Sequence, residues 1–220
     1  EGRFATDLRR RVAWRTESDT GTVPPTLRGY LADEMLPELQ GLGFDCQVLE
    51  NPDPKGGPLL LAHRVEDPAL PTVLTYGHGD VVNGQESAWR QGLSPWVLTQ
   101  EGDRWYGRGT ADNKGQHTVV FTALAHAIAA RNGKLGYNVT LLLEMGEEAG
   151  SPGLAQFCAD HAKALRADLF VASDGPRINV ERPTLFLGSR GAINFSLTVR
   201  SRDKAYHSGN WGGVLANPAT

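Results

Sequence analysis

One stretch limits what this 220-residue chain can fold into more than any other: Thr72-Val73-Leu74-Thr75-Tyr76-Gly77-His78-Gly79-Asp80. It reads as a short buried strand that runs into a glycine-rich end carrying a histidine and an aspartate two residues apart. Side chains alternate along a strand, so His78 and Asp80 point the same way, with room for an imidazole–carboxylate contact. The flanking glycines let the backbone approach whatever sits there. A metal-ligating histidine oriented by a carboxylate is built this way. A capped strand end with a surface histidine is built this way too, so the stretch alone leaves both readings open.

The chain around it predicts an α/β setting. Helical spacing holds over residues 4–15, with its arginines on a solvated face. It holds again through Leu27, Leu31, Met35, Leu39 and Leu42, where Pro37 predicts a kink and Gly41 and Gly43 an end. Phe44–Leu49 and Leu59–Val65 read as strands, residues 83–95 as a loop, and Val97–Gln100 with Arg104–Tyr106 as a hairpin. A helix is predicted from Gly115 to Arg131, with Val120, Leu124, Ala127 and Ile128 on one face. The run Val139–Leu143, apolar but for Thr140, marks a strand in a sheet covered on both sides. Ser151-Pro152 reads as cap and first turn of another helix, with Leu154, Phe157, Cys158, Ala162 and Leu165 inward, and Leu169–Ala172 as a further short apolar strand. Strands alternating with helices predict an α/β fold with a mostly parallel sheet and helices on both faces.

Beyond Pro183 the texture changes. Thr184–Leu187 and Ala192–Arg200 read as strands, the second alternating Ile193, Phe195, Leu197 and Val199 with polar residues, as a half-exposed antiparallel strand does. This places a domain boundary near residue 188, with 1–187 as one domain and 188–220 as the start of a second. The chain opens without Met and stops at Asn217-Pro218-Ala219-Thr220, which reads as the start of a helix, so a fragment of a longer protein is expected.

Charge and cysteine content exclude some classes. A net charge of -3 offers no basic surface for nucleic acid or an acidic membrane, and no apolar run reaches membrane-spanning length. Cys46 and Cys158 share no motif spacing, which predicts free thiols, and with no leader peptide in view a cytoplasmic location.

The chemistry gathers at strand ends. The strand at 73–76 leads to His78 and Asp80, that at 139–143 to Glu147-Glu148, and that at 169–172 to Asp174. Asp112 sits in the loop that opens the long helix. Singly, Asp112 is also a helix cap, Glu147-Glu148 a solvated turn and Asp174-Gly175 a common turn. Jointly they converge where ligands bind in open α/β sheets, outside the carboxyl ends of strands. Converging carboxylates resist burial unless cations balance them, and Arg108 and Lys114 supply only part of that charge. Nitrogen and oxygen donors without thiolate suit zinc, with cobalt or manganese as substitutes. His63, His117, His126 and His161 lack acidic neighbours in this pattern and read as structural or surface groups.

Four motifs then carry a resemblance: Tyr76-Gly77-His78-Gly79-Asp80, Gly107-Arg108-Gly109-Thr110-Ala111-Asp112-Asn113-Lys114-Gly115, Glu144-Met145-Gly146-Glu147-Glu148-Ala149-Gly150-Ser151 and Ser173-Asp174. In this order they resemble the dinuclear-zinc peptidase family of carnosinase-like dipeptidases, aminoacylases, acetylornithine and succinyl-diaminopimelate deacylases, and glutamate carboxypeptidases. The resemblance implies two Zn²⁺ ions, with Asp112 bridging them, His78 and Asp174 completing one site and Glu148 serving the other. It implies Glu147 as general base, Asp80 as the group orienting His78, and a cis peptide at Asp112-Asn113. Tyr206-His207-Ser208-Gly209-Asn210-Trp211-Gly212-Gly213 is similar to the dipeptidase branch. There His207 would be the histidine of a smaller lid or dimerisation domain, acting on substrate in a partner's site, which implies a homodimer. The family's last metal-ligating histidine falls late in a chain about twice this long and is absent here. Hydrolysis of small peptides is the activity implied. N-acyl amino acid deacylation by the same chemistry and a metal-free binding module on the same scaffold are the alternatives.

Overall fold

The computed structural model describes residues 2–175, 177–188, 190–191, 193, 195–200 and 202–216. The chain divides into two compact units, Glu1–Pro176 and Arg177–Thr220. The first is built on a five-stranded sheet of β1 (Asp45–Leu49), β2 (Leu59–Arg64), β3 (Thr72–His78), β6 (Asn138–Glu144) and β7 (Leu169–Ala172), in the order β1-β2-β6-β3-β7. β6, β3 and β7 are parallel neighbours, while β2 is antiparallel to both β1 and β6, so four of the five strands run in one direction. A separate hairpin joins β4 (Thr99–Glu101) to β5 (Arg104–Tyr106).

Every residue of β6 is buried, the apolar Val139, Leu141, Leu142 and Leu143 as the sequence predicts, and the polar Asn138, Thr140 and Glu144 with them. Alternation sorts the strand side chains into two layers. Leu60, Ala62, Val139, Leu141 and Leu143 face Leu27, Leu31, Met35 and Leu39 together with Phe121 and Leu124 of α4 (Lys114–Ala130). Leu59, Leu61 and Leu142 face the opposite way, onto Leu165 and Phe157 of α5 (Leu154–Asp160). Helical cover on both faces is therefore present, and the strand tips beyond it converge at one end of the sheet.

The second helical segment answers Pro37 in an unexpected way. α2 (Pro25–Gly29) runs into a π-helical stretch, Tyr30–Met35, and on into α3 (Leu36–Gly41). In a regular helix the Pro37 ring would clash with the Asp33 carbonyl, and a wider turn relieves that clash. α1 (Arg3–Ala13) packs Leu8 and Val12 against Leu98, the residue before the hairpin. Its arginines were expected on a solvated face, yet Arg11 is fully buried. It pairs with Glu34 and Glu38 and donates to Thr118 of α4, while Arg10 donates to Glu34 at 2.6 Å. Glu34, in the π-helical stretch, and Glu38, within α3, turn inward and demand a buried cation, which outweighs exposure of the helix face.

Three further expectations change. Ser151-Pro152 does not cap α5, which begins at Leu154 behind Gly153 in the left-handed region. The Ser151 hydroxyl instead donates to the buried Glu144 carboxylate at 2.9 Å, a stronger acceptor than a helix end supplies a donor. Among the described residues β7 lies at the sheet edge, paired only to β3, and its apolar Leu169, Phe170 and Val171 are exposed. In the second unit, α6 (Ser208–Trp211) forms a single turn. The described residues within 184–187 and 192–200 form no strands, because no neighbouring segment among the described residues offers them backbone partners. Ala192, Asn194 and residues 217–220, on which part of those expectations fell, lie outside the described residues. Among the described residues no helix is long and apolar enough to cross a membrane, and Cys46 and Cys158 are free.

Replacing Arg11 by Met should lower stability by about 3 kcal/mol, since it strands buried carboxylate charge that Arg10 compensates only in part; denaturant titration of the variant measures it. Burial raises the Cys46 thiol to about 11, which leaves little thiolate at neutral pH. Alkylation of Cys46 by iodoacetamide at pH 8 should therefore run roughly tenfold slower than that of a free cysteine, followed by mass spectrometry.

Candidate active site

β3 ends at His78, and the next residues turn across the tip of β6 with Gly79 N–H donating to the Glu144 carbonyl at 2.9 Å. A side chain at Gly79 would meet Tyr30 at 2.6 Å and the Met145 sulfur at 2.7 Å, so only glycine lets the strand end pass there. His78 and Asp80 are both fully buried and face each other as their spacing predicts. His78 Nδ1 lies 3.1 Å from the Asp80 carbonyl oxygen and 3.2 Å from Asp80 Oδ1. Both partners are acceptors, so Nδ1 carries the proton and Nε2 is the nitrogen turned outward.

Around Nε2 stand three carboxylates. Asp112 Oδ1 is at 2.8 Å, and Glu147 Oε2 and Asp174 Oδ2 are each at 3.9 Å. Glu148 completes a second set, so that His78 with Asp112 and Asp174, and His78 with Glu147 and Glu148, each bring their ligand atoms within 4.8 Å. Five of the residues singled out from sequence thus meet in one place, with Asp80 directly beneath them. His207 belongs to the second unit, where its Nδ1 accepts from the Gly209 N–H at 3.1 Å at the start of α6.

The loops that bring these groups together are cross-braced. Asn113, fully buried, accepts from the His78 N–H at 3.2 Å. Its amide nitrogen donates to Gln116 at 2.6 Å, to the Ser173 carbonyl at 2.7 Å and to Asp174 Oδ1 at 3.2 Å. One side chain therefore ties the tips of β3 and β7 to the start of α4. The Asp112–Asn113 peptide bond is cis, as the resemblance implies. Glu144, buried at the end of β6, accepts from Tyr76 and from Ser151, which pins the turn carrying Glu147 and Glu148. Asn113, Ser151 and Tyr76 lie inside recognised motifs, but nothing in their spacing marks them as braces.

The electrostatics call for a cation. Burial lowers the basicity of the His78 imidazole, but Asp80, Asp174 and Asp112 together overcome it and raise it to about 9. Desolvation and the neighbouring carboxylates raise Glu147 and Glu148 above the ordinary carboxylate range, and proximity to His78 only partly opposes this. The two other cations in the motifs turn elsewhere. Lys114 is buried, donates to the Trp14 carbonyl at 2.6 Å and lies over the Tyr30 ring, with burial lowering it to about 7. Arg108 donates to the Asn83 carbonyl at 2.9 Å and lies over Trp89. A cluster of nitrogen and oxygen donors with four acidic groups and one imidazole fits divalent metal ions. The remaining histidines are structural or surface groups, His126 being exposed on α4. His117 bonds the Tyr30 hydroxyl at 2.7 Å, His63 bonds Thr140 at 3.1 Å, and His161 stacks on Phe157.

Comparisons with known proteins find relatives over nearly the whole of this chain. A Beta-Ala-His dipeptidase of Mus musculus is 35% identical over 92% of this chain and 43% of its own length. A Cys-Gly metallodipeptidase of Candida albicans is 31% identical over 99% of this chain and 47% of its own length. The crystal structure of human carnosine dipeptidase 1 superposes with a TM-score of 0.73 at 28% identity, over 98% of this chain and 47% of that one. The chain therefore spans about half the length of the relatives it matches. The sequence profile of Peptidase family M20/M25/M40 matches residues 74–204, the interval that holds every residue of the cluster, and on that match the chain belongs to this family of metallopeptidases.

Proposed function

We propose that the whole protein is a dipeptidase-like hydrolase that cleaves the amide bond of small peptides with two zinc ions, Glu147 serving as general base. The observation that carries this reading is the convergence of His78, Asp112, Glu147, Glu148 and Asp174 in two donor sets sharing His78. The dipeptidase names of the relatives favour the same substrate class. Asp112 would bridge two ions, His78 and Asp174 would complete one set of ligands, and Glu148 would serve the other, with cobalt or manganese as substitutes for zinc. When bound, such ions polarise the scissile carbonyl and acidify water.

The protein's own groups do the rest. Asp80 accepts from His78 Nδ1 and so turns the Nε2 lone pair towards the cluster. Glu147 takes the proton of the attacking water and delivers it to the leaving amine, so the proton released on attack is the one the departing nitrogen needs. His207 is the candidate donor to the developing oxyanion, and it belongs to the part, 188–220, that we read as the beginning of a lid or dimerisation domain following a catalytic domain over 1–187. A homodimer in which His207 serves the partner's site follows from that reading, and two free thiols fit a reducing, cytoplasmic setting.

Metal-loaded full-length protein should hydrolyse dipeptides and carry about two equivalents of zinc by elemental analysis. Glu147→Gln should retain both metals and lose most turnover, whereas Glu148→Gln should lose metal. The reverse pattern would exchange base and ligand, and a folded wild-type protein that takes up no zinc would overturn the reading. His207→Ala should keep metal and fold while turnover falls by about 10², the effect of losing one oxyanion donor. Mixing it with Glu147→Gln should restore part of the activity. No recovery after demonstrated subunit exchange would place His207 within its own chain's chemistry or outside it.

A further inference from the structure

The segment following α1 touches the site at a point no motif marks. Residues 16–18 lie beside residues 79–81 as a short parallel bridge between Glu17 and Val81. Val81 N–H donates to the Thr16 carbonyl at 2.9 Å, and Ser18 N–H donates to the Val81 carbonyl at 3.3 Å. The Thr16 hydroxyl donates to the Gly79 carbonyl at 2.7 Å, and Glu17 accepts from the Gly84 N–H at 2.8 Å. The Ser18 hydroxyl donates to Asp80 Oδ2 at 2.6 Å.

Asp80 divides its two oxygens between two tasks. Oδ1 faces His78 Nδ1 at 3.2 Å and the Glu147 N–H at 3.3 Å. Oδ2 takes the Ser18 hydroxyl at 2.6 Å and the Glu148 N–H at 3.1 Å. A carboxylate without solvent exposure must have its charge met by donors, and hydroxyl-to-carboxylate bonds are among the strong ones. The Ser18 contact is the shortest of the four, so it fixes the carboxylate's rotation. Without it, Oδ2 keeps one long backbone bond, and the plane that sets both the His78 ring and the Glu147-Glu148 turn is free to swing.

We infer that Ser18 is a positioning residue of the metal centre, acting through Asp80 to hold His78 and the Glu147-Glu148 backbone in register. This rests on the metallohydrolase reading above but concerns a residue outside the segment matched to the family. Its partner Thr16 supplies an internal comparison, because its hydroxyl braces the same segment without touching Asp80.

The test uses the full-length protein, competitive zinc titration and the visible spectrum of the cobalt-substituted form, beside thermal unfolding of the metal-free protein. Ser18→Ala should weaken metal binding about tenfold, the lower end of what loss of a group behind a metal ligand costs, and should alter the cobalt spectrum. Ser18→Thr, which keeps the hydroxyl, should restore both. Thr16→Val should lower thermal stability and leave metal affinity near wild type. Wild-type affinity in Ser18→Ala, no rescue by Ser18→Thr, or equal loss of affinity in Thr16→Val would each overturn the inference while leaving the proposed function standing. A folded wild-type protein that binds no metal would instead overturn both.

Discussion

A single buried carboxylate orders the active end of this molecule. Asp80 has no contact with solvent and receives donors from His78, Ser18 and the backbone of Glu147 and Glu148. Removing such a charge from water costs several kcal/mol unless hydrogen bonds replace its hydration. Here the replacements come from three separate stretches of chain, and each is held in place by the need to reach the same two oxygens. The strand tip, the turn after β6 and the segment after α1 are thereby locked to one another at the point where the chemistry would occur.

Around that fixed point the structure accumulates a charge imbalance. Asp112, Glu147 and Asp174 crowd His78 Nε2, while Lys114 and Arg108 direct their charge into the core and along the neighbouring loop. Asn113 resists the resulting repulsion by tying His78, Ser173 and Asp174 together through one neutral amide. A neutral brace is suited to this place, because it fixes geometry without spending the negative field that a divalent cation would need. The scaffold is cross-braced by hydrogen bonds and the centre is unbalanced in charge, which is the combination expected of a preorganised metal site.

The sheet explains why these groups meet. β6 and β3 are neighbours in parallel, and helices cover the β2–β6 region on both faces, so the charged groups that follow these strands gather beyond the strand ends. β3 and β6 therefore deliver His78 and the Glu147-Glu148 turn to the same side, and β7 delivers Asp174 beside them. β7 itself lies outside the covered region, which leaves apolar side chains exposed at the sheet edge.

Local pattern alone was sufficient for the α/β alternation, for the facing of His78 and Asp80, and for the carboxylates at strand ends, because each depends on spacing within a few residues or on the period of a strand or helix. The burial of Val139–Leu143 was legible for the same reason, since Val139, Leu141, Leu142 and Leu143 put apolar side chains on both faces of the strand. What only the tertiary structure decided are the matches between charges distant in sequence. Arg11 was assigned to a solvated face by its helix, yet Glu34 and Glu38, more than twenty residues away, draw it into the interior. Ser151 looked like a helix cap until the end of β6 placed the Glu144 carboxylate within its reach. Ser18 carried no signal at all, since its partner is 62 residues further along the chain and becomes a neighbour only once the sheet has formed. Periodicity records which face of an element is apolar; it carries no information about which polar group on another element will satisfy a buried charge, and that choice is made by the fold.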